Sequence, residues 1–244
     1  MHRVLIPPHA VRGSEITLVD PDTLHYLLDV VRVGVGERLV CFDGQGRSYA
    51  GRILRSGRRA VAIAIDAQTE EAPPRLAVTL GQALIKPEQF EWVIQKATEL
   101  GVTQILPTLT SRTRVRLPRS AGAARMKRWR RIAEAAAAQC GRSVLPVIAE
   151  PQEFEGVLQA VGSRYTLLPT LVEPGTPLGD HGSRLQRVRE VAVLIGPEGD
   201  FSAEEVALAK RHGAHPVTLG RATLRSETAA IATLAILQHM AGAL

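Results

Sequence analysis

Cysteine is scarce: the 244 residues hold two, Cys41 and Cys140, far apart in the chain. Neither belongs to a CxxC pair or a Cys/His cluster, so no zinc site and two reduced thiols are expected. Long apolar runs are also missing. None reaches 18 residues, so no membrane span is expected. The opening stretch, MHRVLIPPHAVRGSEITL, places prolines and polar residues where a signal peptide needs an unbroken apolar segment, and a cytoplasmic protein is expected. The glycine patterns that cradle phosphates are absent too. There is no GxxxxGK[ST] and no GxGxxG after a strand, and Gly34-x-Gly36 has the wrong sequel in a β-rich region. A triphosphate or a dinucleotide is therefore disfavoured. No internal repeat is visible.

Acidic residues are missing from one stretch only. Between Gly101 and Ala133 there is none, while Arg112, Arg114, Arg116, Arg119, Arg125, Lys127, Arg128, Arg130 and Arg131 all fall there. The net charge of +6 is correspondingly local. Residues 1–72 carry 9 basic and 9 acidic side chains, residues 73–150 carry 13 and 5, and residues 151–244 carry 8 and 10. A concentrated positive segment is the pattern of a polyanion-binding face, although a charge run is usually just a solvated surface. Arginine outnumbers lysine 26 to 4, a bias that carries no functional weight by itself.

Two grammars follow one another along the chain. Residues 1–70 read as β-rich. ERLVCFDGQGRSYAGRIL places two apolar runs around Asp43-Gly44-Gln45-Gly46, a hairpin signal, and RRAVAIAIDA reads as a further strand. DPDTLHYLLDVVRV offers one short helix capped by Asp20 or Asp22. The proline-bearing TEEAPPR, 69–75, marks a boundary, giving a small β-barrel at 1–71 and a second domain at 72–244.

From residue 76, strands and helices alternate. KPEQFEWVIQKATELG puts Phe90, Val93, Ile94 and Ala97 on one helical stripe and stops at Gly101. Ser202 and Glu205 form a capping box, the bland role expected for Glu205 and for its neighbour Glu204. A Pro- and Gly-rich loop is expected to about residue 183, and a last apolar helix over Glu227 to Met240. Such alternation predicts an α/β domain with a largely parallel sheet. His25, His212 and His215 have no ligand spacing.

In open parallel sheets, ligands sit beyond the carboxyl ends of the strands. Three strand ends here are chemically odd: Pro169-Thr170, Gly196-Pro197-Glu198-Gly199, and Leu219-Gly220 followed by Leu224-Arg225-Ser226-Glu227-Thr228. Glycine permits close approach of a ligand to the backbone. Without a phosphate cradle, an adenosine compound lacking phosphates fits best.

LIGPEGDFSAEEV followed by LGRATLRSETAAIATLAILQ resembles the cofactor half of the SPOUT-class methyltransferases, whose chain forms a trefoil knot at the cofactor site. More narrowly, nearly the whole chain resembles the RsmE family, which methylates N3 of a uridine in 16S ribosomal RNA of the small ribosomal subunit. HYLLDVVRVGVGERLVCFDGQG resembles that family's PUA-like barrel, and QALIKPEQFEWVIQKATELGVTQILPTLTSRT with RWRRIAEAAAAQCGRS resembles the first half of its catalytic domain. One departure is visible: the family pattern reads Gly-Pro-Glu-Gly-Gly, and here Asp200 takes the last place.

The resemblance implies S-adenosylmethionine as cofactor and no metal. It assigns the cofactor to three loops. Leu168, Pro169 and Thr170 form the first. Ile195, Gly196, Pro197, Glu198 and Gly199 form the second, with Glu198 expected to hold backbone N–H groups of its own turn. Leu219, Gly220 and Leu224 begin the third, which continues through Arg225, Ser226, Thr228 and Ala229. Arg225 is the candidate for stabilising charge on the uracil edge, and Glu227 for a base or orienting group; an Arg225–Glu227 pair that only shapes the loop is the structural alternative. RNA contact is expected at Arg112, Arg114 and Arg116. Arg3, Arg32, Lys86, Lys96 and Arg142 would extend that contact, with Arg47 as a further cation on the barrel. The resemblance also implies a homodimer, which the apolar AAIATLAILQHM helix fits. Three other readings stay open: a dehydrogenase-like enzyme, against which the missing glycine fingerprint argues; a non-catalytic RNA-binding module with a vestigial pocket; and a methyltransferase acting on another RNA.

Overall fold

The computed structural model describes residues 2–115 and 122–244. It divides into two compact units, Met1–Pro73 with Glu134–Leu145, and Pro74–Ala133 with Pro146–Leu244.

The first unit contains β1 (His2–Leu5), β2 (Val11–Arg12), β3 (Glu15–Leu18), α1 (Pro21–His25), β4 (Arg38–Phe42), β5 (Arg47–Gly57) and β6 (Ala60–Glu70). They form one six-stranded sheet in the order β1-β4-β5-β6-β3-β2. Val4 of β1 and Ile16 and Leu18 of β3 share one core with Leu39, Cys41, Ile53 and Ile63, so strands from both ends of the order enclose the same interior. Register shifts between β5 and β6 at Ala50/Gly51 and Ile53/Arg55 supply the bending such closure needs. Burial pushes the Cys41 thiol up to about 12.

The Asp43–Gly46 hairpin forms as its sequence predicts. Asp43 Oδ1 accepts from the N–H groups of Gln45 (2.8 Å) and Arg47 (3.0 Å), and Gly44 and Gly46 take positive φ. Asp20, not Asp22, caps α1, accepting from Thr23 N at 2.8 Å. The segment Glu134–Leu145 joins this unit through main-chain bonds at that same hairpin: Gly46 N donates to Ser143 O (3.0 Å) and Leu145 N to Gly44 O (2.9 Å).

The second unit begins with β7 (Ala77–Ala83), α2 (Pro87–Glu99) and β8 (Gln104–Leu109). The helix α3 (Gly122–Cys140) follows, counted with this unit up to Ala133 and with the first from Glu134; then come β9 (Val147–Ile148), β10 (Gln152–Glu153), α4 (Phe154–Val161) and β11 (Tyr165–Pro169). The chain continues through β12 (Thr176–Pro177), α5 (Gly182–Leu185), β13 (Glu190–Ile195), α6 (Ala203–Arg211), β14 (Ala214–Thr218) and α7 (Ser226–Met240). The strand order is β10-β8-β7-β13-β11-β14-β12, with β9 also paired to β8, and every pairing is parallel.

Both faces of this sheet are covered. Along β13, Val191, Val193 and Ile195 point into a core shared with α2 and α7, while Ala192 and Leu194 point into a second core with α4 and α6. That is why VAVLI is apolar at every position instead of alternating. The expected stripe Phe90, Val93, Ile94 and Ala97 is buried, and α2 gives way to Gly101 at φ +85°. The Pro- and Gly-rich stretch before residue 183 differs from the expected plain loop. Thr176–Pro177 pairs with Val217–Thr218 at the sheet edge, and a 3-10 turn over Leu178–His181 follows. Two residues of strand are too few to leave a period, and only the partner defines them.

Candidate active site

The carboxyl ends of three adjacent strands, β13, β11 and β14, open onto one cavity. Pro169 and Thr170 enter it from the end of β11, Ile195 to Glu198 from the end of β13, and Leu219, Gly220 and Leu224 from the loop after β14. Arg225, Ser226 and Ala229 close it from the start of α7. Most residues assigned to the cofactor from sequence are thus brought together around one space. Three are not. Leu168 alternates away into the α4/α6 core. Gly199 backs onto Arg112, whose Cδ would lie 3.5 Å from an added Cβ. Thr228 is exposed on α7 and off the cavity wall. Leu171, Asp200, Val217, Thr218, Ala222 and Thr223 line the cavity although the sequence did not single them out as site residues.

A hydrogen-bond chain fixes the floor. Gln82, fully buried on β7, donates through Nε2 to Ser226 Oγ at 2.9 Å, and Ser226 Oγ donates to the Gly196 carbonyl at 2.5 Å. Gln82 Oε1 has no partner among the described residues. The turn itself is tight: a Cβ on Gly196 would stand 3.2 Å from the backbone of Asp200. Asp200 N donates to Pro197 O at 2.9 Å, and Asp200 adopts φ +60°.

The carboxylate that holds backbone N–H groups here is that of Asp200, not Glu198. Asp200 Oδ1 accepts from Phe201 N (2.7 Å), and Oδ2 accepts from Leu171 N (2.6 Å) and Thr170 Oγ1 (3.0 Å). Glu198 is exposed on the cavity lining and makes no side-chain hydrogen bond among the described residues.

Arg225 is exposed at the N-cap of α7, and its guanidinium has no ion-pair partner among the described residues. Glu227 lies in the first turn of the same helix, where the helix dipole favours a negative charge. The two are not paired with each other, so the loop-shaping alternative finds no bond to rest on.

The basic segment is more varied than its sequence suggests. Arg112 Nη1 donates to Gly199 O at 2.7 Å, and Ser111 N to Glu205 Oε1 at 2.7 Å, so the loop after β8 is fastened to the turn and helix after β13. Glu205 also completes the capping box with Ser202. Hydrogen bonding to Ser202 first, and the Arg112 charge to a lesser degree, hold the Glu204 carboxyl below its ordinary value. Arg114 is exposed and unpaired among the described residues. Arg116 and Arg119 lie outside the described residues. Arg128 pairs with Glu91 at 2.5 Å, and Arg125 sits 5.6 Å from the Trp129 ring centre.

Of the remaining cations, Lys86 is exposed before α2, and Arg32 and Arg47 are exposed in the first unit. Three differ from free surface charges. Lys96 is held by Glu99 at 2.8 Å. Arg3 is half-buried over the Phe42 ring and donates to Arg142 O and Ser143 Oγ, both at 3.1 Å. Arg142 lies 4.0 Å from Glu71, and burial lowers its guanidinium from the ordinary value, partly offset by that carboxylate. Lys96 meets its partner one turn along the same helix, while Arg3 and Arg142 engage groups remote in sequence that only the folded chain brings near. Among the described residues, no group of three or more His, Cys, Asp or Glu is placed to hold a metal, and no helix is long and apolar enough to cross a membrane.

Comparison with known proteins gives consistent results. Residues 72–238 match the RNA methyltransferase domain family, and residues 19–66 the RNA methyltransferase PUA domain family. The chain is 32% identical over 236 residues to a ribosomal RNA small subunit methyltransferase E of Synechocystis, covering 96% of this chain and 76% of that protein. It is 24% identical to the Bacillus subtilis protein of that description, over 96% and 90% of the two chains. Among solved structures, a putative methyltransferase from Legionella pneumophila with bound S-adenosylmethionine superposes with TM-score 0.82 at 32% identity, over 97% and 96% of the chains. A ribosomal RNA small subunit methyltransferase E from Neisseria gonorrhoeae bound to S-adenosylmethionine gives 0.85 at 27%, over 98% of each.

Proposed function

We propose, from the premise that this chain belongs to the ribosomal RNA small subunit methyltransferase E family, that it methylates N3 of one uridine in 16S ribosomal RNA and uses S-adenosylmethionine as methyl donor. The single observation that carries the reading is the cavity at the ends of β11, β13 and β14 with Arg225, a cation without an ion-pair partner among the described residues, on its wall.

The cavity suits that cofactor by its donor set. Ile195, Pro197, Leu219, Leu224 and Ala229 offer apolar walls for a purine, and the main chain at Gly220 is open to close approach, with no atom within 4 Å of where a Cβ would stand. S-adenosylmethionine supplies an already activated methyl group. What remains for the protein is positioning and the handling of one proton. Uracil N3 is protonated at neutral pH and becomes nucleophilic as that proton leaves and charge grows on the O2 and O4 edges. Arg225 donates to that developing charge with a planar fork. Glu227 takes or orients the proton. Arg112 and Arg114 meet the RNA backbone, and the target base leaves its stack to enter the site. The barrel at 1–71 serves as an RNA-binding domain and 72–244 as the knotted catalytic domain, in a cytoplasmic homodimer.

The decisive experiment incubates the purified chain, the cofactor and small subunits from a strain lacking the corresponding gene, then digests the 16S RNA to nucleosides for mass spectrometry. One equivalent of 3-methyluridine is expected. Methylation at another atom or on another RNA would replace this reading, and no methylation on any RNA would leave a binding module.

A further inference from the structure

We infer that Asp200 is a positioning residue of the cofactor pocket: its carboxylate clamps the loop after β11 onto the turn after β13 and so holds two of the pocket's walls together. The inference deepens the cofactor reading and rests on it. Its basis is one residue with two unusual properties at once.

The first is backbone conformation. Asp200 has φ +60°, in the left-handed region. Residues with a Cβ are disfavoured in this region, aspartate less than most, and glycine occupies it freely. If the turn needed only its shape, glycine would be the better residue.

The second is the set of groups the side chain gathers. Oδ2 accepts from Leu171 N at 2.6 Å and from Thr170 Oγ1 at 3.0 Å, while Oδ1 accepts from Phe201 N at 2.7 Å. Thr170 Oγ1 in turn accepts from Val172 N at 3.1 Å. Leu171 is 64% exposed, so little apolar burial holds this loop in place. The carboxylate therefore supplies the tie that packing does not. Thr170, Leu171 and Asp200 all line the cavity. A charged acceptor with three donors is a strong anchor, because hydrogen bonds to ionised groups are about twice as strong as neutral ones.

The test compares Asp200→Gly, Asp200→Asn and Thr170→Val with the native chain. Asp200→Gly relieves the backbone and removes the clamp, so its two effects have opposite signs. The backbone relief offsets only part of the lost charge-assisted bonding, so thermal stability is expected to fall slightly, while the affinity for S-adenosylmethionine by calorimetry falls on the order of tenfold. Amide exchange at Leu171 and Val172, measured without ligand, is expected to accelerate. Asp200→Asn tolerates the left-handed region and keeps one acceptor oxygen, so it should recover part of the affinity. Thr170→Val should weaken binding in the native background and add little on top of Asp200→Gly, since the two share one bond. An Asp200→Gly chain that binds the cofactor as tightly as the native one, or whose Leu171 amide exchanges no faster, overturns the clamp and leaves the cofactor reading intact. A native chain that binds no S-adenosylmethionine overturns both.

Discussion

Ser226 Oγ donates to the carbonyl of Gly196 at 2.5 Å, joining the start of α7 to the turn that ends β13. Thirty residues separate the two in sequence, and the buried Gln82 secures the bond from behind through its own hydrogen bond to Ser226. Replacing Ser226 by Ala removes the only side-chain donor that reaches this carbonyl among the described residues and takes one acceptor from Gln82. The loss of a buried hydrogen bond with its partners left in place costs about 1–3 kcal/mol. A lower urea midpoint with unchanged slope is expected, together with weaker binding of S-adenosylmethionine. An unchanged midpoint would mean that the bond contributes nothing.

Arg225→Ala is expected to lower the single-turnover methyl-transfer rate by about a hundredfold, with little change in affinity for cofactor or RNA. Arg225→Lys should recover only part, because an ammonium does not reproduce the planar fork. Raising the pH should partly rescue Arg225→Ala, since more N3 then ionises unaided. A defect that is equal at every pH would remove Arg225 from the chemistry.

Arg112 and Arg114 are separable. Arg114→Glu should weaken RNA binding and flatten its salt dependence while leaving cofactor affinity intact. Arg112→Glu should do both kinds of damage, because its guanidinium also holds Gly199 O beside the cofactor turn. Filter binding across a salt series, paired with calorimetry on the cofactor, reads the difference. Equal cofactor affinity in the two variants would show that the Arg112–Gly199 bond does not support the turn.

His181 is expected to contribute a pH dependence of stability. Its ring nitrogens face Tyr165 Oη and Thr176 Oγ1, with His215 alongside. Burial, and next the neighbouring His215, hold its folded value below the ordinary histidine value of about 6.5. A depressed value means that the folded state binds its proton less readily than the unfolded one. Its contribution is therefore present above about 6.5 and is lost as the pH falls through the lower folded value. Melting temperatures of the native chain and His181→Gln, followed from pH 7.5 to pH 5, should converge toward the acid end. Parallel curves would exclude this histidine as the titrating group.

Local signals in the sequence proved sufficient for local structure. The Asp43–Gly46 hairpin, the Ser202–Glu205 capping box and the Phe90/Val93/Ile94/Ala97 stripe each depend on residues within a turn or two of one another, so their spacing carries the information. The uniformly apolar VAVLI is consistent in composition with the strand that the fold buries on both faces. The motifs around Gly196 and Leu219 marked two of the strand ends that meet at the cavity.

What those motifs do to one another was decided only in three dimensions. Asp200 reads in sequence as a mild departure at a helix start, and its meaning lies in Thr170 and Leu171, about thirty residues earlier. Gln82 carries no motif and reaches the site through a bond spanning 144 residues. Arg3, Lys96 and Arg142 counted as cations in the sequence, and the fold turned them inward or paired them. A residue's type states which bonds it can make. Which bond it makes depends on the groups that folding brings within about 3 Å: one helical turn suffices for Lys96 and Glu99, whereas for Asp200, Gln82, Arg3 and Arg142 that distance is set by segments remote in sequence.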